Sequence, residues 1–261
     1  MSEVDSRVRE LLYTDFDGHP VGDPDEVINA AFDDDRYTAR VEPLRRVLAT
    51  GAPYERFLAC CALATWGELD GYRAVVDAAA DPDAAPWRGE LVDRRYSVDE
   101  TFAHLARAVG LGEDFAGPKG TEDERVGALR ALVRIADTEY FDWQLAFALD
   151  KRALPRVVDD VAAVVRRGTD RLASGERPSF DLGVQLADLA AAVAQVDERL
   201  AVGLGGDLVR VDSSPKVLVH LAAVVSRGTG APSLKFADYL ASVGDGSVRK
   251  ALADALTRRN G

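Results

Sequence analysis

An acidic loop near the start of the chain has the clearest spacing for chemistry. Asp15 and Asp17 flank one phenylalanine and are followed by Gly18, and Asp23 and Asp25 come shortly afterwards. Carboxylates this close together can share a divalent cation. A calcium loop of the helix–loop–helix type, however, needs glycine at its sixth position, and Gly18 would be the fourth residue counted from Asp15. The loop therefore favours a solvated acidic turn over a metal site.

The run from Asp15 to Gly18 also resembles the nucleophile loop of haloacid-dehalogenase-like phosphatases. In that family the first carboxylate attacks phosphorus and both carboxylates bind Mg²⁺. The resemblance implies a buried apolar strand directly before the loop and a parallel sheet behind it. Residues 3–13 instead have the period of an amphipathic helix. His19-Pro20 also stands where the family continues with Thr-Leu, so we expect no phosphatase site.

The histidines and cysteines do not form a catalytic or zinc motif. His19, His104 and His220 are far apart, and Cys60 and Cys61 are neighbours within an apolar segment. The two thiols are best interpreted as small packing residues. The chain also lacks a Gly-x-Ser-x-Gly elbow, a phosphate-binding Gly-Lys-Ser/Thr loop and a dinucleotide fingerprint. We expect no catalytic residue, no metal and no cofactor.

The charge balance limits the classes of partner. The formal net charge is -12 and the sequence pI is about 4.8. An acidic surface repels both nucleic acid and anionic membranes. The amino terminus lacks the apolar core of a signal peptide, and no apolar run approaches membrane-spanning length. With arginine far outnumbering lysine, these features favour a cytoplasmic bacterial protein that binds neither nucleic acid nor membrane.

Helical periodicity extends over most of the chain. Residues 54–66 are apolar almost all the way round, which predicts a helix that must be covered on several sides. Gly67 is expected to end this helix in the left-handed conformation. A return helix with a one-sided apolar stripe follows from about Gly71. Because no segment alternates as a strand should, the sequence predicts an all-α protein of about 12 to 14 helices.

Two segments of the chain repeat the same pattern. Residues 52–80 align with residues 121–149, where Ala136 takes the place of the turn glycine and residues 140–149 form the expected return helix. Residues 81–95 contain two prolines and no helix period, so they are expected to form an insertion at the edge of the stack. Repeated helix pairs of this length indicate a solenoid, since one pair cannot bury its apolar faces alone.

The first of these segments resembles a HEAT repeat. It shares with that family a charged helix start, a buried helix of small and aliphatic residues, a Gly-acidic turn and an apolar return helix. The resemblance implies an α-solenoid, a right-handed superhelix of antiparallel helix pairs, forming one domain over residues 1–261. Residues 1–37 would be capping helices and the acidic loop, residues 38–165 the HEAT-like repeats, and residues 166–261 further helix pairs. HEAT-like proteins typically bind other proteins.

The turns of the two segments combine acidic and aromatic residues. Tyrosine and tryptophan anchor protein interfaces, and carboxylates steer basic partners toward them. The alternative is structural: Phe141 and Trp143 would pack between repeats, and the acids would favour a helix start. The residues predicted to bind a partner are Glu68, Asp70, Asp137, Glu139, Tyr140, Asp142 and Trp143.

These features together predict a protein that binds another protein and catalyses nothing. The partner is expected to have a basic surface, and the chain to be a monomer or weak dimer. An adaptor, or an immunity- or inhibitor-type protein that covers a basic toxin, would fit. The alternative is a nucleic-acid enzyme on a HEAT-like scaffold, such as a DNA glycosylase, which the set Trp66, Trp87 and Trp143 would suit.

Overall fold

A computed structural model describes residues 5–93 and 97–260 of the chain. The described residues are all-α, as predicted from the sequence, apart from two strands of two residues each. They divide into two compact units, residues 5–93 with 99–131 and residues 97–98 with 132–260. The predicted division into capping helices, HEAT-like repeats and C-terminal pairs stays a prediction.

The first unit is built from seven helices and part of an eighth. They are α1 (Ser6–Leu12), α2 (Pro24–Ala30), α3 (Thr38–Thr50), α4 (Pro53–Thr65), α5 (Leu69–Ala80), α6 (Thr101–Leu111), α7 (Glu113–Lys119) and α8 (Glu122–Arg134). Short 3₁₀ turns lie at Asp35–Tyr37 and Pro82–Ala84, and the strands are β1 (Val92–Asp93) and β2 (Val98–Asp99).

Helix α4 forms the centre of the first unit, as its all-round apolar sequence predicts. It packs against α2, α3, α5 and α6. Trp66, directly after α4, is fully buried and its indole N–H donates to the carbonyl of Ile28 at 2.9 Å. The predicted insertion is also anchored here, because Trp87 is 1% exposed and lies edge-on to Phe57 of α4.

Two glycines allow α4 and α5 to approach closely. Gly67 has a φ of +71°, the left-handed conformation predicted for the end of the first helix. Gly71, in the first turn of α5, lies against the backbone of α4, where a β-carbon would come within 2.4 Å of the Ala64 nitrogen. The return helix begins at Leu69, and at Gly71 its backbone lies in contact with the backbone of α4.

The second unit contains the end of α8 and eight further helices. They are α9 (Gln144–Ala148), α10 (Leu154–Ala173), α11 (Leu182–Val193), α12 (Glu198–Val211), α13 (Pro215–Leu221), α14 (Ala223–Arg227), α15 (Ala231–Val243) and α16 (Gly246–Asn260). Helix α11 is central, since it packs against α9, α10, α12, α13 and α14. Ten of its residues are buried, which requires small side chains such as its four alanines.

The second predicted return helix is shorter than its counterpart. Residues 140–149 were expected to be helical throughout, but α9 covers only Gln144–Ala148. The reason lies at Asp142, whose φ of 51° places it in the left-handed region and turns the chain immediately before α9. The two repeat-like segments therefore differ in their second helix.

No helix within residues 5–93 and 97–260 combines the length and the hydropathy needed to span a bilayer.

Gly71 and Gly127 form a matched pair for testing the contact between α4 and α5. Gly71→Ala should destabilise the protein by about 2 kcal/mol or more, because the added methyl group would clash with the backbone of α4, and no side-chain rotation can relieve that clash. Gly127→Ala, on α8, should leave stability unchanged or raise it by about 0.5–1 kcal/mol, since alanine favours a helix and the added methyl contacts nothing. Urea unfolding followed by circular dichroism measures both, and equal stabilities would contradict this packing.

Candidate functional site

The carboxylates of the first predicted turn are paired within the first unit. Glu68 accepts from Arg45 at 2.8 Å and from Lys119 at 2.5 Å, and its side chain is 13% exposed. Asp70 lies 2.7 Å from the Nε of Arg45. Lys119 also donates to the carbonyl of Trp66 at 2.7 Å. Glu68 therefore fastens the turn between α4 and α5, and its charge is neutralised by the chain itself.

The second predicted turn contains a buried carboxylate that is paired with a half-exposed arginine. Asp137 is 2% exposed, and the Nε and Nη2 of Arg167 donate to its two carboxylate oxygens at 2.7 and 2.5 Å. Such two-point pairs are among the strongest hydrogen-bonded contacts in proteins. The pair raises the pKa of Arg167 above its ordinary value. Arg171 donates to the backbone carbonyl of Asp137, so this carboxylate stabilises the turn and does not face solvent.

Gln185 completes the attachment of this turn. Its side chain extends from α11, and the residue is 2% exposed. The amide nitrogen donates to the carbonyls of Ala136 and Glu139 at 2.6 and 3.0 Å, and the amide oxygen accepts from the N–H of Phe141 at 2.7 Å. One side chain thus satisfies three backbone groups of a turn that has no regular structure of its own.

The turn presents two aromatic side chains to solvent. Trp143 is 49% exposed and Phe147, one helical turn later on α9, is 67% exposed. Their rings are 5.5 Å apart in an edge-to-face arrangement. We call them the aromatic pair. Large exposed aromatic groups on a rigid support are typical of interface anchors.

A histidine–carboxylate cluster lies on the same unit. The Nδ1 of His220, on α13, is 2.8 Å from a carboxylate oxygen of Asp188 on α11. The hydrogen bond with Asp188 raises the pKa of His220, and the charges of Asp181 and Asp142 raise it further. Asp142 precedes the aromatic pair, and burial together with the charge of Asp188 raises its own pKa. The charges of Asp188 and His220 therefore act on Asp142, the residue next to Trp143.

Arg227 supplies a second cation behind the cluster. Burial lowers the pKa of its guanidinium, and the charge of Asp188 opposes that effect. One nitrogen of Arg227 and the second carboxylate oxygen of Asp188 are buried without a hydrogen-bond partner among the described residues. His220 and Arg227 together offset part of the negative charge that Asp142, Asp181 and Asp188 place here.

The structure divides the seven predicted binding residues between the two units. Glu68 and Asp70 belong to the first unit, and the other five to the second. Of those five, Asp142 and Trp143 are exposed, Glu139 and Tyr140 are half-buried, and Asp137 is buried. Tyr140 packs against the ring of Phe180 at 5.7 Å. Two of the predicted residues, Asp142 and Trp143, are therefore exposed, and Phe147, which sequence reasoning missed, is exposed beside Trp143.

The acidic loop at Asp15 folds upon itself. One oxygen of Asp15 accepts from the backbone N–H groups of Asp17 and His19 at 2.9 and 2.8 Å. Asp25 pairs with Arg107 at 2.5 Å. Among residues 5–93 and 97–260, no group of three histidine, cysteine or acidic side chains is arranged to hold a metal ion.

The neighbouring cysteines are free thiols in α4. Cys60 is fully buried, and burial raises its pKa to about 12. Cys61 lines a cavity of about 170 Å³ beside α2 and α6, and burial raises its pKa as well. Both are therefore protonated at neutral pH, and protonated thiols are weak nucleophiles.

Sequence reasoning missed most of the groups that support the site. Gln185 and Arg167 were not singled out, although a polar side chain within an otherwise apolar helix, such as Gln185 in α11, is a detectable signal. His220 was considered only as a possible catalytic or zinc-binding residue, and its pairing with Asp188 was not predicted. The pairing of Arg167 with Asp137 has no local signal, because 30 residues separate them. Phe147 was not among the predicted binding residues, and the structure places it on α9 with 67% of its surface exposed.

Comparison of the chain with models of protein families, with curated proteins and with solved structures gives no match.

Gln185 and Gln144 test how the turn is held. Gln185→Leu should destabilise the protein by about 3 kcal/mol or more, because three buried backbone groups would lose their partner and each such loss costs about 1–3 kcal/mol before relaxation. Gln144→Leu should be neutral or stabilising, since the buried amide oxygen of Gln144 has no hydrogen-bond partner among the described residues. Guanidinium unfolding followed by tryptophan fluorescence gives both values. A similar cost for the two variants would rule out this role for Gln185.

The His220–Asp188 pair predicts a pH dependence of stability. Because the folded-state pKa of His220 is raised, the pair stabilises the fold fully below the ordinary histidine pKa of about 6.5. That contribution is lost as the pH rises through the folded-state pKa. Asp188→Asn should lower the pKa of His220 and flatten this part of the profile. Titration of the His220 ring by NMR measures its pKa, and denaturant unfolding at pH 6 and above measures the pH dependence of the free energy of unfolding. An unchanged His220 pKa in the variant would contradict the pairing.

Proposed function

We propose that this chain is a non-catalytic protein-binding protein whose main contact is the aromatic pair. The observation that carries the proposal is the exposure of Trp143 and Phe147, at the end of a turn that Gln185 and the Asp137–Arg167 pair hold in place and at the start of α9. A rigid support lowers the entropy lost when aromatic side chains are immobilised by a partner. The remainder of the turn is committed to the fold, which leaves Asp142 and the aromatic pair to make contacts.

The partner is proposed to have a basic surface. The chain has a net charge of -12, which increases the association rate with a positively charged protein. An exposed indole ring also binds lysine and arginine side chains through its π face. Because Glu68 and Asp137 are already paired, the recognition is assigned to the aromatic pair and Asp142, with the overall charge acting at longer range.

The HEAT-like solenoid and the immunity- or inhibitor-type role belong to the same proposal. The helix pair α4–α5 supports the HEAT-like solenoid, because its first helix is packed on several sides and its return helix exposes Val76 on the outer face. The alternative of a DNA glycosylase receives no support from the tryptophans. Trp66 and Trp87 are buried in the first unit, so they cannot line an open groove together with Trp143.

A variant lacking the aromatic pair tests this function. Trp143→Ala combined with Phe147→Ala should reduce retention of the natural partner at least about tenfold, since aromatic anchors commonly contribute 2 kcal/mol or more each. Val76→Ala, an exposed apolar position on α5, should retain the partner and serves as the control. The measurement is quantitative mass spectrometry of proteins held by each immobilised variant from a lysate of the source organism, at low and high salt. Retention of the same proteins by both variants, or of no basic protein at low salt, would overturn the proposal.

A further inference from the structure

A groove on the second unit has the opposite charge to the chain as a whole. It lies between α12 and α15, with a volume of about 600 Å³. Val202, Phe236 and Tyr239 provide its apolar surface, and Arg199 and Lys235 are exposed along it. None of the residues that line the groove is acidic, although the chain carries 44 acidic residues against 32 basic ones.

Two adjacent glycines of α12 shape the floor of this groove. Gly205 allows the ring of Phe236 to lie against the helix, since a β-carbon at Gly205 would be 2.9 Å from the ring's Cζ. Gly206 faces the groove, and a β-carbon there would meet no atom within 4 Å. The first glycine therefore brings α12 and α15 together, and the second leaves the space above them open.

The end of the groove is held in place by partly buried polar contacts. Glu198 of α12 accepts from the backbone N–H groups of Gly230 and Ser233, at the start of α15, at 2.8 and 2.7 Å. Arg259 of α16 donates to the carbonyl of Gly230 at 2.9 Å and to the hydroxyl of Ser233 at 2.5 Å. The groove is thus preformed, and the carboxylate of Glu198 is used within the fold and does not neutralise Arg199.

We propose that this groove binds an acidic amphipathic helix of a partner protein. Apolar side chains of that helix would contact Val202, Phe236 and Tyr239, and its flanking carboxylates would pair with Arg199 and Lys235. An apolar groove bordered by charge is the usual receptor for such a helix. The groove extends along α15 from Ala231 to Tyr239, which corresponds to about 12 Å or two helical turns.

Charge complementarity decides the occupant. A basic helix would be repelled by both cations, whereas an acidic helix gains from both, and no acidic side chain lines the groove beside Arg199 and Lys235. The surface is distinct from the aromatic pair, and it selects the opposite charge. Binding at the groove therefore does not depend on the function proposed above.

Two synthetic helical peptides test the proposal. Both would be stapled, about 14 residues or four turns long, with the same leucine stripe and flanked either by glutamates or by lysines. Fluorescence anisotropy with the full chain at low salt should show the glutamate peptide binding at least about tenfold more tightly. Arg199→Glu combined with Lys235→Glu should reverse that preference.

Gly206→Phe and Gly203→Phe provide a steric test on one helix. Phenylalanine at Gly206 should fill the groove and weaken binding of the glutamate peptide at least about tenfold. Phenylalanine at Gly203 should leave binding unchanged, since Gly203 is exposed, has equally open space and does not line the groove. Circular dichroism would verify that both variants fold.

Three results would overturn the proposal. They are equal or absent binding of the two peptides, an equal loss of binding in the two glycine variants, and self-association of the wild-type chain in sedimentation velocity that Gly206→Phe abolishes. The last result would assign the groove to a second copy of this chain.

Discussion

The side-chain amide of Gln185 is the contact on which the candidate site depends. It bonds three backbone groups of the turn between α8 and α9, a segment whose irregular backbone cannot satisfy them internally. The ion pair of Asp137 with Arg167 holds the same turn from the other side. Without these groups the turn would have many conformations, and the aromatic pair would lose its fixed position. The exposed surface therefore depends on two buried side chains, Gln185 and Asp137.

The distribution of charge follows the same logic. A net charge of -12 suggests an acidic surface, yet Glu68, Asp137 and Glu198 are each used to connect one helix or turn to another. The negative charge that remains acts over distance and affects association rates more than specific contacts. Local surfaces can then differ in sign, as the groove beside Arg199 and Lys235 does. Net charge alone is a poor guide to which partner a given surface accepts.

Small residues determine how closely the helices pack. Gly71 brings α5 onto the backbone of α4, Gly205 admits the ring of Phe236, and α11 is surrounded by five helices because much of it is alanine. Close packing of this kind contributes dispersion contacts but tolerates little added volume. Gly206, one residue from Gly205, leaves an opening instead, because the two glycines lie on different sides of α12.

The sequence by itself determined the all-α class, the coverage of α4 on several sides and the left-handed end at Gly67, because helix period and glycine conformation are local properties. It located Asp137, Asp142 and Trp143 but not the side chains that hold the turn. Only the tertiary structure decided that Asp137 is buried, that Gln185 holds the turn, that Phe147 is exposed, and that a basic groove opens beside Gly206. Each of these depends on which helices come into contact, and a carboxylate meets its arginine across 30 residues of sequence only after α10 has packed beside the turn.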